Sequence, residues 1–165
     1  MTSPTGPTEE SPTPASDPDR PKDAGPAALF DAVAAEHAAI YGYGMVSAHS
    51  LPSRNGLVSD AMAQHRELRE TALAMLAERN VEGPLPAAGY QLPMPVGSPP
   101  EAARLAVRIE DDCAVAWRAV LEQSESEDDR RFALTALTGC AVRAAQWRRV
   151  VGAWPVTRAF PGGSE

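Results

Sequence analysis

Three side chains that can carry charge or ligate a metal fall on otherwise apolar helical stripes. Glu36 lies on the face of Leu29, Val33 and Ile40. His65 lies between Ala61, Met62 and Leu68, and Glu110 stands beside Ile109 and Cys113. Carboxylate and imidazole aimed into a core must be paired, protonated or bonded to a metal, because an isolated ion in a low dielectric is too costly. Positions equidistant from a hairpin turn lie level across two antiparallel helices. With turns near Leu51 and Glu125, Glu36 is level with His65, and Glu110 is level with Arg143. Two acids and a histidine at one height are the start of a metal cage for iron, manganese or zinc. Glu36, His65 and Glu110 are therefore the candidate ligands, with His37 or Asp111 as further donors to a single ion. Arg143 opens a second possibility, since a guanidinium beside Glu110 supplies the positive charge a metal would otherwise bring.

The elements that must hold these groups are four long helices. Residues 1–26 carry seven prolines among Ser, Thr and acidic residues and are expected to be a disordered tail. Helical apolar spacing then runs from Ala27 to about Ser50, and again from an N-cap at Ser53 to about Asn80. Val81 to Ser98 is a Pro/Gly-rich connection of unusual length. Ser98-Pro99-Pro100-Glu101 predicts the next start, with Ser at the N-cap, Pro at the first position and Glu completing a capping box. That helix runs to about Gln123. A fourth follows from Ser126, whose acids Glu127, Asp128 and Asp129 suit the helix dipole, and runs to about Gly152. The expectation is an all-α four-helix bundle over 27–152, two antiparallel hairpins joined by a long crossover, with a C-terminal tail over 153–165.

Composition narrows the classes. A net charge of −7, with a single lysine and no basic cluster, argues against nucleic-acid binding. No apolar run is long enough to span a membrane and the start has no signal-peptide pattern, which points to the cytoplasm. Two cysteines exclude a Cys-rich zinc site; Cys113 and Cys140, level on the last two helices, are expected as buried thiols. Trp117 and Trp147 read as core, and His49 as a C-terminal cap. Tyr41-Gly42-Tyr43-Gly44 places two costly glycines in a helix, which close approach at a homodimer interface would explain.

With the motifs Ala-Ala-Glu36-His37-Ala-Ala-Ile-Tyr41-Gly-Tyr43-Gly and Gln64-His65-Arg66-Glu67-Leu68-Arg69, residues 27–152 resemble the ferritin-like superfamily, in particular an actinobacterial ferritin-like domain family of unknown function. Di-iron bundles place one Glu on each of two helices and Glu-x-x-His on each of the other two. The resemblance carries ligand positions onto Glu36, His65 and Glu110. Met62, Arg143 and Gln146 depart from the pattern, so the di-iron set is incomplete. Arg143 and Gln146 are then expected to replace the metal by an internal salt-bridge network. The leading expectation is a structural or interaction module without a cofactor, a homodimer with no nucleic-acid or membrane partner. The alternative is a metal-dependent oxidoreductase or ferroxidase-like protein using iron or manganese on the reduced ligand set. A third reading is a small-ligand bundle with the crossover around Tyr90 as its lid.

Overall fold

The computed structural model describes residues 17–163; most of the expected N-terminal tail, residues 1–16, lies outside them. Four helices make up the fold: α1 (Ala24–His49), α2 (Asn55–Ala77), α3 (Pro99–Gln123) and α4 (Glu127–Val151), with no strand among the described residues. α1 begins three residues before the expected boundary. Pro26 sits in its first turn, where a missing N–H costs nothing, and the Ala27 amide donates to the Asp23 carbonyl. Arg20 closes a forked ion pair on Asp31, so residues just ahead of the helix are tied to it.

Ser53 does not cap α2. It lies in a 3₁₀ turn, Pro52–Arg54, and the helix starts at Asn55 without a side-chain cap. Its far end closes in the left-handed manner, with Asn80 at φ 56°. Bonds from the Asn80 amide to Ala77 and from the Val81 amide to Leu76 satisfy the last carbonyls. α4 ends the same way at Gly152, φ 75°. At the start of α3 the capping box is reorganised. Glu101 reaches back to accept from the Gly97 amide and the Ser98 hydroxyl, both at 2.9 Å, so Ser98 is a donor to Glu101 and not a cap for the backbone. Ser126 does cap α4, accepting from the Asp129 amide at 3.3 Å.

α1 and α3 form the central pair, running antiparallel, with α2 flanking α1 and α4 flanking α3. α2 and α4 do not pack closely, and a groove of about 360 Å³ lies between them. The long 78–98 crossover returns the chain along the bundle, so α2 and α3 run parallel. Its Pro84 carbonyl meets His37 at 3.1 Å, and Tyr90 packs its ring on Tyr41 at 5.3 Å. No described helix is long and apolar enough to cross a membrane.

Gly42 has its reason inside the chain. A Cβ there would stand 2.7 Å from Ile109 Cδ1, so glycine lets α1 and α3 approach, and no second copy is needed to explain it. Gly44 faces open space. Gly42→Leu is expected to destabilise the fold by about 1–3 kcal/mol through overpacking. Gly44→Ala should be neutral or stabilising by up to about 1 kcal/mol. Urea unfolding of the two variants measures both.

Candidate functional site: a buried ion network

The helix crossings bring Glu36, His65, Glu110 and Arg143 together in the centre of the bundle. The first three are each 0% exposed and Arg143 is 6%. His65 bridges the two acids, with Nδ1 2.6 Å from Glu36 Oε2 and Nε2 3.2 Å from Glu110 Oε1. Arg143 Nε donates to the same Glu110 oxygen at 2.9 Å. Its Nη1 donates to Gln64 Oε1, and Nη2 to Cys140 Sγ at 3.4 Å.

Three further side chains close the network. Tyr43 OH donates to Glu110 Oε1 at 2.5 Å and accepts from Trp147 Nε1 at 2.9 Å, while Trp117 Nε1 donates to Glu36 Oε1 at 2.7 Å. An indole carries only a donor, and burying it requires an acceptor, so both tryptophans are polar members of the core as well as apolar ones. Sequence reasoning placed them in the core and missed these bonds. The signal was present in the spacing, since Tyr43 follows Glu36 by seven residues, Trp117 follows Glu110 by seven and Trp147 follows Arg143 by four.

Other expected members lie elsewhere. Gln146 is exposed on the outer face of α4, and the amide that meets Arg143 is Gln64 from α2. At 3.6 residues per turn Gln146 lies about 100° round α4 from Trp147, on the far side of Arg143 and away from the seam those two occupy. His37 projects to the crossover, where burial holds its pKa below the usual value against the pull of the Pro84 carbonyl. Asp111 pairs with Arg148 at 2.6 Å and Arg158 at 3.5 Å, which fastens the C-terminal segment to α3. Trp154, which follows α4, is largely exposed. Cys113 and Cys140 are free, buried and in contact; the Cys140 thiol, burial and the Glu36 charge push the Cys113 thiol well above its ordinary range.

The charges follow from these contacts. Burial alone would strip the proton from His65, but its bonds to Glu110 and Glu36 outweigh that and raise its pKa to about 10. Burial likewise favours the neutral Glu110, yet the His65 bond and charge, then Arg143 and Tyr43, hold it below the usual carboxylate range. Burial works against the Arg143 cation too, and Glu110 more than compensates. Burial beside Glu110 pushes the Tyr43 phenol well up, so it stays a donor. Two anions and two cations balance. One atom is left over: Glu110 Oε2 is buried with no hydrogen-bond partner. Cys113 Sγ, Glu36 and His65 each bring a ligand atom within 4.8 Å of the others.

Two outcomes test this electrostatic assignment. Glu110→Gln removes one anion and leaves a buried cation uncompensated, so unfolding free energy is expected to fall by about 3–5 kcal/mol, read by denaturant titration. His65 has its pKa raised on folding, so its contribution is fully present below the unfolded value of about 6.5 and is lost as pH rises through about 10. Stability measured across that window is expected to decline, with no matching decline in His65→Asn.

The chain belongs to the family described as Domain of unknown function (DUF4439), which matches residues 28–165. It is similar to the crystal structure of a conserved hypothetical protein, rv2844, from Mycobacterium tuberculosis. The two share 61% sequence identity at a TM-score of 0.77, over 84% of this chain and 97% of that one. No curated protein matches the chain.

Proposed function

We propose that the protein is a metal-independent, ferritin-like helical bundle of the cytoplasm that serves as a structural or interaction module. The observation that carries this reading is that both ring nitrogens of His65 are held by carboxylates. An imidazolium has no lone pair for a metal, and a divalent ion added to two anions and two cations would leave a dry core with excess positive charge. The residues also do not fit a di-iron centre. Met62 stands where a second carboxylate belongs, and Arg143 occupies the other.

A homodimer is part of the proposal, with α4 as its contact. Leu134 and Val142 are each about half exposed on its outer face, separated by the small residues Thr138 and Ala141 without an intervening charge on that stripe. One specific observation favours a second reading. The Glu36, His65 and Cys113 donors, with the unpartnered Glu110 oxygen nearby in the network, would suit one iron or zinc more than manganese, because a thiolate is a soft ligand. On that reading the protein is a metal-dependent oxidoreductase.

Elemental mass spectrometry of untagged protein, purified without chelator and then incubated with iron, manganese or zinc, separates the two. The expected result is far less than one equivalent of any metal and a melting temperature unchanged by EDTA. A full equivalent, with a melting temperature that drops on chelation, would overturn the metal-free reading and support the oxidoreductase.

A further inference from the structure

A cavity of about 420 Å³ opens at the end of the bundle where α1 and α4 finish and α3 begins. Its apolar wall is built by Leu51, Pro99, Ala103, Trp147, Val150 and Val151. Trp147 has its one polar atom turned inward, donating to Tyr43, so it offers the cavity only ring carbon. Leu51 is about half exposed despite its size. The volume lies within the range of small-molecule sites, which combine a mostly apolar lining with a few polar groups that fix orientation.

The polar groups here are two arginines. Arg54, from the 3₁₀ turn, and Arg104, from the second turn of α3, both line the cavity. The chain has fourteen arginines, and ten have a side-chain bond or ion pair to a described residue. The four guanidinium groups without one among the described residues are those of Arg54, Arg66, Arg104 and Arg149, so half of them stand at this one opening. That is notable in an acidic chain, where carboxylates are in excess and most arginines have found one.

The backbone narrows the anion. A helix start ordinarily offers amide N–H groups to phosphate, but α3 opens with Pro99 and Pro100, neither of which has one. With those two amides missing, the charged groups that line the cavity and can hold an anion are the arginine side chains. A planar guanidinium matches a carboxylate through paired parallel bonds, and two such groups beside a hydrocarbon wall complement an acid with an apolar body.

We propose that this cavity is a binding site for a small amphiphilic monocarboxylate, its carboxylate seated between Arg54 and Arg104 and its hydrocarbon against Trp147, Val150 and Val151. The cavity shares Trp147 with the ion network but none of its charged groups, and the proposal holds or fails whether or not the network binds metal. Because Trp147 is both wall and donor to Tyr43, occupancy has an optical signature in tryptophan emission.

The test uses decanoate as the probe, with decanol and decylamine as its uncharged and cationic counterparts, titrated into the full chain by calorimetry and tryptophan fluorescence. Saturable binding of one decanoate per chain is expected, weaker binding of decanol and none of decylamine. The double variant Arg54→Gln, Arg104→Gln should weaken decanoate at least about tenfold and leave decanol unchanged, because both residues are exposed and outside the core. Val150→Phe, which fills the cavity, should abolish binding of both. Decanoate that fails to saturate below about 1 mM overturns the proposal. So does decanoate binding that is matched by decanol, or that is indifferent to loss of both arginines.

Discussion

The imidazole of His65, clamped between Glu36 and Glu110, is the contact on which the bundle depends. Each acid comes from one member of the central helix pair, and His65 comes from α2, so one ring ties three helices at a single height. Arg143 brings in the fourth from α4. Four charges in a core almost closed to water are costly individually. Together they cancel, and every charged group but one oxygen has a partner. Such a network is a modest source of net stability compared with a well-packed apolar core of the same volume. Its effect is on uniqueness, because a slip of α2 or α4 by one turn would strand ions without partners.

The packing serves this arrangement. Gly42 lets α1 and α3 close on each other one residue before Tyr43, whose hydroxyl must reach Glu110. Alanines at buried positions of α3 and α4, such as Ala106, Ala114, Ala136 and Ala144, let those helices approach around Cys113 and Cys140. Trp117 and Trp147 fill the space left by the small residues and use their N–H groups to finish the acid and phenol valences. The same side chains supply bulk and hydrogen bonds, which is why the centre is both dry and polar.

Much of this was legible in the sequence. Helix count, the crossover and the approximate ends of α2 and α4 near Asn80 and Gly152 follow from apolar spacing and from proline, glycine and asparagine placement, and the level pairs Glu36 with His65 and Glu110 with Arg143 follow from hairpin symmetry. What was not legible depends on side-chain direction. Gln146 is three residues from Arg143 and could have shared its face, but the amide that meets Arg143 comes from Gln64 across a seam between two helices distant in sequence. Ser53 and Ser98 have the right identity for caps, yet a 3₁₀ turn and a back-reaching Glu101 claimed those positions. Gly42 signalled a close approach that was expected at a dimer interface and is met instead by Ile109 of α3 in the same chain.

The central claim is that His65 is an imidazolium at neutral pH, with both nitrogens protonated and committed to acids. Nitrogen-15 NMR of the His65 ring, followed from about pH 6 to above pH 10, tests it most directly. The account predicts two protonated ring nitrogens at about pH 8 and a loss of one proton only near pH 10. A ring that carries one bare nitrogen at about pH 8, or that titrates near the ordinary value of about 6.5, would contradict it.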